Sequence, residues 1–263
     1  MKIVVFIKQV PDTTDVKIDP ETNTLKRGDS PAIINPFDLY ALEEGIRLKE
    51  KFGGEVIAIT MGPPQAKEAI KEAVAMGVDD GILISDRAFA GADTLATSYT
   101  LSQAVKKIEN VDLIICGKQA SDGDTAQTGP GIAEWLKLPQ ATFVKKIDDI
   151  KEGHIYLESM WDEGTEKLKL PLPALITVVK EINEPRIPGL RGKMKAKKFE
   201  VKLWDNKFLS LPEEKIGLNG SPTQVRKIFS PPQKEPGRQL TVTENVSEIA
   251  EEVVNTFQKM GLV

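Results

Sequence analysis

The chain has 263 residues, with 35 Lys or Arg against 39 Asp or Glu and a formal net charge of −4, so its charge gives no overall attraction to nucleic acid. The single cysteine, Cys116, excludes an internal disulfide or a Cys-based metal cluster, and the single histidine, His154, argues against a His-rich metal site or a Ser-His-Asp triad. The apolar run at residues 3–7 is too short for a signal peptide or a membrane span. We therefore expect a soluble, cytoplasmic protein with no membrane insertion.

Short apolar runs alternate with amphipathic segments over the first half of the chain. The runs are continuous and rich in β-branched residues, which is typical of strands covered on both faces of a parallel sheet. Asn35 is expected to cap the first helix, with Pro36 at its first position. We predict strands at residues 3–7, 55–61, 81–85 and 111–116, and helices at 36–52, 65–76, 94–108 and 128–136. This alternation predicts a doubly wound, mostly parallel α/β sheet, with ligands at the carboxyl ends of its strands.

After Ala141 the pattern changes to runs that are typical of antiparallel strands, at 143–147, 154–161 and 166–170, followed by a buried strand at 174–179. Residues 194–198 are predicted to form a basic turn, and 199–240 are rich in proline with little periodicity. A structureless run of that length is uncommon inside a compact domain, so we expect an arm that packs on another protein, before a helix at 244–260. Val16–Asp19 is a possible short edge strand.

The stretch from Leu113 to Pro130 begins as a buried strand and becomes a loop rich in Gly, Ser, Asp and Thr. Such a loop at a helix start lets backbone N–H groups approach a phosphate. Gln127 and Thr128 are neutral donors that suit phosphate oxygens, whereas Asp122 and Asp124 suit the site only if they point away or hold sugar hydroxyls. The loop lacks the Walker and Gly-x-Gly-x-x-Gly patterns, so an ordinary strand-to-helix connection explains it equally well.

A second helix start, at residues 91–97, is also small and rich in hydroxyl groups. Taken alone, the segment is better explained as an ordinary cap, with Asp93 or Thr94 at the N-terminus of the helix. Its predicted position, however, is beside the first loop at the same edge of the sheet. Two such helix starts indicate a ligand with more than one anionic group, such as a dinucleotide.

The residues carry no self-contained catalytic machinery. We find no paired carboxylates, metal-ligand spacing or nucleophile elbow, so we predict no catalytic and no metal-binding residue. Cys116 is expected to be a buried core thiol and His154 a surface strand residue. Lys195, Lys197 and Lys198 are expected to form a solvated face, with a polybasic contact as the alternative. The chain is therefore predicted to bind a cofactor or ligand rather than to act as a hydrolase.

Several motifs, taken in order, carry a family resemblance. They are residues 5–12 (VFIKQVPD), 35–38 (NPFD), 61–63 (MGP), 75–77 (AMG), 117–122 (GKQASD), 127–129 (QTG), 170–177 (LPLPALIT) and 183–198, which begins NEPR and ends MKAKK. With these motifs the chain resembles the β subunit of electron-transfer flavoproteins over nearly its whole length. The resemblance implies a Rossmann-like, adenine-nucleotide-binding fold and a partner α subunit that carries a flavin.

The resemblance also implies an adenine-nucleotide site, built from the end of the first strand, the start of the first helix, the turn after the second strand and the loop at 117–128. The residues are Ile7, Asn35, Asp38, Met61, Gly62, Gly117, Lys118, Gln119, Ser121, Asp122, Gly123, Asp124, Thr125, Gln127 and Thr128. In the ordinary branch of the family this site holds AMP, and the β subunit is a structural and docking subunit for acyl-CoA dehydrogenases.

Residues 86–99 resemble instead the electron-bifurcating branch and its nitrogen-fixation relatives, because mitochondrial-type β subunits lack the Asp-Thr-x-Ala-Thr pattern of Asp93, Thr94 and Thr97. In that branch the site holds FAD, which accepts a hydride from NADH. Single electrons then pass to ferredoxin or flavodoxin and, through the α-subunit FAD, to a partner dehydrogenase. We favour this interpretation, which makes the chain an electron carrier and a subunit of an NADH-oxidising flavoprotein oxidoreductase. The AMP-binding β subunit is the alternative, and a nucleotide-binding stress-type module that acts alone is a third.

Leu190 resembles the anchor leucine of the family's recognition loop, which docks on dehydrogenases. We expect Leu190, Arg191, Met194 and Lys195 to bind an acyl-CoA dehydrogenase-type partner, although a leucine folded onto its own domain is the alternative. The residues between Leu190 and Met194 differ from the mitochondrial-type loop, so the partner's identity does not transfer. The chain then divides into a nucleotide-binding α/β domain at 1–185 and a recognition loop with a C-terminal arm at 186–263, which packs on the α subunit.

Overall fold

The computed structural model describes residues 1–12, 32–226, 237 and 245–262. Two compact units make up the chain, Met1–Ile228 and Phe229–Val263. The possible strand at Val16–Asp19 and part of the proline-rich stretch at 199–240 lie outside the described residues. None of the helices in the described ranges is long and apolar enough to cross a membrane.

Strands and helices alternate through the first unit, as the sequence predicts. The strands are β1 (Lys2–Phe6), β2 (Gln9–Pro11), β3 (Ala32–Ile34), β4 (Glu55–Met61), β5 (Asp80–Ile84), β6 (Leu113–Gly117), β7 (Gln140–Lys151), β8 (His154–Trp161), β9 (Gly164–Pro171), β10 (Ala174–Val178) and β11 (Lys202–Trp204). The helices are α1 (Pro36–Phe52), α2 (Lys67–Met76), α3 (Thr94–Val105), α4 (Thr128–Leu136), α5 (Leu190–Lys198) and α6 (Asn206–Leu209). Short 3-10 turns occupy Pro64–Ala66, Arg87–Phe89, Lys180–Ile182 and Glu213–Lys215.

Within the described residues, nine strands form one sheet in the order β11-β5-β4-β1-β6-β10-β7-β8-β9, and β2 pairs with β3 apart from it. Every pairing from β11 to β7 is parallel, whereas β8 and β9 are antiparallel. β1 lies inside the sheet, where Val4 is opposite Ile57 of β4 on one side and Ile114 of β6 on the other. The predicted α/β fold, a doubly wound and mostly parallel sheet with an antiparallel extension, is therefore confirmed.

Helices cover both faces of the parallel strands, which explains why those strands are apolar without interruption. Successive side chains of a strand point to opposite faces of a sheet. In β1, Ile3 and Val5 pack in a cluster that includes residues of α1 and α2, whereas Val4 and Phe6 pack in a second cluster with residues of α3 and α4. Both sets are buried, so a polar side chain at any of these four positions would lose its hydration.

Three elements differ from the sequence prediction. The basic stretch at 194–198, predicted as a turn, is part of α5, which begins at Leu190. β11 falls in the stretch predicted to have little structure, yet it pairs with β5 at the edge of the sheet. β7 is antiparallel to β8 as predicted, but it is parallel to β10. The sheet therefore continues past residue 185, and the packing of a C-terminal arm on an α subunit stays a prediction.

In the second unit, α7 (Val246–Lys259) matches the helix predicted at 244–260. The side chain of Asn245 accepts a hydrogen bond from the N–H of Ser247 at 3.1 Å, which caps the helix. Val254 and Phe257, from its predicted apolar face, are exposed.

Candidate functional site

The strand ends that the sequence assigns to a nucleotide site meet at one edge of the sheet. The N–H of Ile7, just after β1, donates to the carbonyl of Ile59 in β4 at 2.9 Å, and the N–H of Gly62 donates to Ile84 of β5 at 3.0 Å. Gly117 closes β6 on the other side of β1. The parallel pairing thus brings Ile7, Met61, Gly62 and Gly117 to the carboxyl edge, where open α/β sheets bind ligands.

Gly117 lets the start of α1 approach β6 more closely than any side chain would permit. A Cβ atom at Gly117 would lie 2.4 Å from Oδ1 of Asp38 and 2.7 Å from the carbonyl carbon of Phe37. Both distances are far below van der Waals contact, so glycine is required here because of space rather than backbone conformation. The close approach places the first turn of α1 directly against the loop that follows β6.

The buried side chain of Asn35 joins the start of α1 to that loop. Its Nδ2 donates to the carbonyl of Gln119 at 2.8 Å, and its Oδ1 accepts from the N–H of Ser121 at 3.0 Å. Its own N–H donates to the carbonyl of Lys8 at 2.8 Å. Asn35 occupies the predicted N-cap position, but its side chain makes no cap bond and is used for this long-range link instead.

Asp38, in the first turn of α1, is a buried carboxyl group at the same place. Its Oδ2 accepts the backbone N–H of Lys8 at 2.7 Å. Burial raises the pKa of Asp38 to about 7. Hydrogen bonds to the Asn35 side chain and to the backbone of Lys8 and Gly117 partly lower this pKa. Burial also raises the pKa of the Cys116 thiol, which is the buried core cysteine that the sequence predicts.

The two carboxylates of the 117–128 loop have partners within the chain. The ammonium group of Lys8 lies 2.6 Å from Oδ1 of Asp122, and Nε2 of Gln119 donates to Oδ1 of Asp124 at 2.5 Å. Asp124 and Ala126 both have φ of 53°, in the left-handed region that produces a sharply curved loop. Both acidic side chains therefore have partners within the chain, which lessens their repulsion of a phosphate group bound nearby.

The start of α4, at the end of the same loop, has no protein cap. The side chain of Gln127 makes no cap bond, and no acceptor for the N–H groups of Thr125, Gln127, Thr128 or Gly129 is found in the part of the chain that the structure describes. A Cβ atom at Gly123 would have nothing within 4 Å, so the loop is open there. Unpaired N–H groups at the positive end of a helix dipole fit a phosphate, so these residues suit the nucleotide that the loop predicts.

The start of α3 is built differently, because Asp93 caps it. Oδ1 of Asp93 accepts from the N–H groups of Leu95 and Ala96 at 3.0 and 3.1 Å. Its Oδ2 accepts from the N–H and hydroxyl of Thr223 at 3.1 and 2.8 Å. Burial opposes ionisation, but these hydrogen bonds hold the pKa of Asp93 below its usual value. Two amide donors expected for a second phosphate are therefore already used, and ligand binding by the Asp93 side chain itself stays a prediction.

Thr94 nevertheless links the two helix starts, as their predicted proximity requires. Its hydroxyl donates to Oε1 of Gln127 at 3.0 Å. One turn into each helix the backbones are close, because a Cβ atom at Gly131 would lie 2.7 Å from the hydroxyl oxygen of Ser98. Thr97 is half-buried in the same turn of α3. The Thr94 hydroxyl is therefore adjacent to the uncapped start of α4.

The predicted recognition residues lie on a helix rather than a loop. Leu190 is the first residue of α5 and is 77% exposed, and Met194, one turn later, is 58% exposed. Ile187, which no sequence motif singles out, is 89% exposed. Arg191 is exposed, whereas the ammonium group of Lys195 donates to the carbonyl of Val78 at 2.9 Å and so contacts its own domain. The apolar side chains, rather than Lys195, are thus available to a partner.

Lys8 is a site residue that the sequence prediction missed. Its ammonium group binds Asp122, and its backbone N–H and C=O bind Asp38 and Asn35. The sequence feature that could have identified Lys8 is its position directly after the first buried strand, at the edge where the loop with Asp122 and Asp124 is predicted. The Asp93–Thr223 contact had no such signal, because 130 residues separate the two.

A doubly wound α/β sheet with an uncapped helix start at its carboxyl edge defines a nucleotide-binding class of protein. Comparison with known proteins narrows this class. The electron transfer flavoprotein domain matches residues 22–209. The chain is 46% identical over 264 residues to the caffeyl-CoA reductase-Etf complex subunit CarD of Acetobacterium woodii, and 47% identical over 264 residues to the electron transfer flavoprotein subunit beta of Thermoanaerobacterium thermosaccharolyticum, with 100% of each chain covered. It is 49% identical over 237 residues to protein FixA of Azotobacter vinelandii, covering 88% of this chain and 84% of that protein.

The chain belongs to the electron transfer flavoprotein family, which confirms the resemblance drawn from its motifs. It is a beta subunit that functions in electron transfer, and an electron transfer flavoprotein alpha subunit is its partner.

Proposed function

We propose that this beta subunit binds FAD at the carboxyl edge of its sheet and belongs to a bifurcating electron transfer flavoprotein. When bound there, FAD would accept a hydride from NADH and release single electrons to ferredoxin or flavodoxin and, through the alpha-subunit FAD, to an acyl-CoA dehydrogenase-type partner. Support comes from the Asp-Thr-x-Ala-Thr pattern at 93–97 and from the similarity to CarD and FixA. The cytoplasmic location stays a prediction.

The observation that carries this proposal is the hydrogen bond from the Thr94 hydroxyl to Gln127, 3.0 Å long. It joins the hydroxyl-rich start of α3 to the uncapped start of α4, so that both helix starts contribute polar groups to one place. The α4 amides would hold one phosphate group. Thr97 would offer a hydroxyl donor to a second group, which AMP does not have, while Thr94, whose hydroxyl donates to Oε1 of Gln127, would orient the Gln127 amide toward the ligand.

The chain's own residues would fix and neutralise the ligand rather than react with it. Asn35 orders the loop through Gln119 and Ser121, and Lys8 offsets the charge of Asp122. Gly117 keeps the start of α1 against the same loop. A rigid, largely pre-formed loop reduces the entropy lost on binding, which favours tight retention of a nucleotide.

AMP is the second candidate, and one observation favours it. Asp93 already accepts hydrogen bonds from the N–H groups of Leu95 and Ala96. Of the starts of α3 and α4, only the start of α4 is therefore uncapped by the described residues. One such start suits one phosphate. In this alternative the subunit would be non-bifurcating, with structural and docking roles toward acyl-CoA dehydrogenases.

Extraction of the purified alpha–beta heterodimer distinguishes the two. We expect two FAD and no AMP per heterodimer, and bleaching of the flavin absorbance when NADH is added without oxygen. One FAD with one AMP would contradict the proposal and support the alternative. Two FAD that NADH does not reduce would contradict the electron-donor part alone.

We further propose that Leu190 and Met194, with Ile187, contact the partner dehydrogenase, and that Arg191 lies at the polar rim. Exposed apolar side chains within a turn of one another, surrounded by charged groups, are typical of an interface anchor. Leu190→Ala should impair electron transfer to the dehydrogenase while flavin and nucleotide content stay unchanged.

A further inference from the structure

Arg186 is bound to two glutamates of α1 by five hydrogen bonds. Its backbone N–H, Nε and Nη2 donate to the carboxylate of Glu43 at 3.1, 2.8 and 3.1 Å. Its Nη1 and Nη2 donate to Glu50 at 2.6 and 3.0 Å. An arginine that satisfies two carboxylates with a planar fork has little freedom left, so the backbone at Arg186 is fixed to α1.

Glu43 is not a surface carboxylate that happens to lie nearby. Its side chain is 3% exposed, and Arg47, one turn along α1, also donates to it at 2.7 Å. Burial opposes ionisation of Glu43, but the hydrogen bonds from Arg186 and Arg47 hold its pKa below the usual value. A buried carboxylate of this kind requires its cation, because an unpaired charge inside a protein is strongly unfavourable.

The preceding residues are held to the same helix. Nδ2 of Asn183 donates to the carbonyl of Tyr40 and to Oε2 of Glu44, both at 3.0 Å. Nη2 of Arg47 donates to the carbonyl of Glu184 at 3.3 Å. The stretch 183–186, which we call the clamp segment, is therefore bound to α1 through Asn183, Glu184 and Arg186.

The exposed apolar residues begin immediately after the clamp segment. Ile187 is the next residue, and Leu190, the first residue of α5, follows after Pro188 and Gly189. On the far side α5 is fixed again, because Lys195 bonds to Val78 and a Cβ atom at Gly192 would lie 2.0 Å from the carbonyl oxygen of Ala75. Ile187 and Leu190 are thus presented by a short stretch that is held at both ends.

We propose that Arg186 is a positioning residue for partner docking: by binding Glu43 and Glu50 it fixes the segment that presents Ile187 and Leu190 to the dehydrogenase. This inference rests on the proposed function of Leu190. Arg186 itself need not touch the partner, since its guanidinium is occupied by the two glutamates. Without Arg186, Ile187 and Leu190 are still present, but the backbone that carries them is no longer fixed. The partner must then order this segment on binding, which weakens the binding free energy.

The test compares variants of the alpha–beta heterodimer in an electron-transfer assay with a purified short-chain acyl-CoA dehydrogenase as the probe. We expect Arg186→Gln to raise the KM for the heterodimer about tenfold with kcat nearly unchanged, as for loss of an interface anchor. Arg186→Lys keeps the charge beside Glu43 but loses the fork, so it should restore part of the loss. Hydrogen exchange of amides 184–194 should become faster in Arg186→Gln.

Lys49→Gln is the matched control. Lys49 lies on the same helix and also makes three side-chain hydrogen bonds, to Gly77 and to both carboxylate oxygens of Asp79, none of them to the clamp segment. It should leave KM and the exchange of 184–194 unchanged. Bound flavin and nucleotide, measured after extraction, should be the same in all variants.

Each result decides the proposal. If Arg186→Gln speeds exchange at 184–194 but leaves KM unchanged, or changes neither, Arg186 is not a positioning residue. If Leu190→Ala also leaves KM unchanged, the docking surface itself is wrong, and the failure lies in the proposed function. If Arg186→Gln does not assemble with the alpha subunit, Glu50→Gln and Arg186→Lys replace it in the test, because Glu50→Gln removes only the exposed part of the contact. An unchanged KM and an unchanged exchange rate in both variants would overturn the inference.

Discussion

The side-chain oxygen of Asn35 accepts a hydrogen bond from the backbone N–H of Ser121 at 3.0 Å, across 86 residues of sequence. The same amide donates to the carbonyl of Gln119 at 2.8 Å. One buried side chain therefore holds the loop after β6 against the start of α1. This long-range link adds to the contacts within the loop, where the N–H groups of Gly123 and Asp124 donate to the carbonyl of Ala120.

Asn35→Ala should destabilise the loop and reduce the bound nucleotide. The substitution leaves a carbonyl and an N–H group without their partner, at a cost of about 1–3 kcal/mol. Nucleotide content after extraction and the Tm of the heterodimer measure the two effects. Asn206→Ala is the control, because Asn206 also makes two side-chain hydrogen bonds, at 3.2 and 3.0 Å, but to Leu211. Equal nucleotide loss in both variants would contradict a specific role for Asn35.

Gly117→Ala should be strongly destabilising, by about 1–3 kcal/mol or more, because the added Cβ meets Asp38 and the backbone of Phe37. Gly123→Ala, in the same loop, adds the same atom where nothing lies within 4 Å, and its stability should change by less than about 0.5 kcal/mol. Denaturant midpoints of the two variants provide the comparison. A Gly117→Ala variant as stable as Gly123→Ala would mean that α1 and β6 are not in close contact.

Asp93→Ala should lower stability by about 1–2 kcal/mol, the usual cost of losing a helix cap. Because the folded pKa of Asp93 is lowered, its contribution is present above the unfolded pKa of 3.8 and is lost as the pH falls through the folded value. Asp93→Asn keeps an acceptor for the helix and should lose less. If Asp93 acts through its cap, extracted nucleotide stays at the wild-type level; a large loss in Asp93→Asn, with the helix intact, would instead indicate ligand contact.

Asp38→Asn should flatten the pH dependence of stability near neutrality. Between its ordinary pKa of 3.8 and the folded value of about 7, Asp38 binds a proton in the folded state that it lacks when unfolded. Its contribution is therefore complete below about pH 4 and is lost as the pH rises through 7, by about 2 kcal/mol between roughly pH 5.5 and 8. Unfolding of wild type and variant at these two pH values should show the variant gaining relative stability at the higher pH. A constant difference would contradict the raised pKa.

The sequence predicted those parts of the fold that rest on local patterns. β1, β4, β6 and α4 follow from continuous β-branched runs and a Thr-Gly-Pro helix start, and they lie within a few residues of the predicted bounds. The sequence predicts a turn within α5 because Gly192 and five basic residues obscure any apolar face. The helix is supported instead by packing on α2 through Gly192. β11, with three residues, is too short to show a period.

The candidate site likewise has parts that local sequence patterns predict and parts that they do not. The residues of the 117–128 loop carry their own signal, because their composition predicts a phosphate-binding turn. The partners of Asn35, Asp93 and Arg186 lie 84 to 143 residues away, and no local pattern specifies such pairs. Sequence alone therefore predicted which strand ends and loops meet at the carboxyl edge, but not the long-range contacts that hold them together; nucleotide binding there stays a prediction.

α5 lies between β10 and β11, two strands of one sheet that are separated by β6, β1, β4 and β5. The chain therefore crosses four strands between β10 and β11, and α5 lies on this crossing. Ile187, Leu190 and Met194 are exposed on this crossing, so a point substitution at any of them would leave the packing of the sheet unchanged. On the proposed function, such substitutions would alter which partner docks and would leave the carboxyl edge of the sheet unchanged.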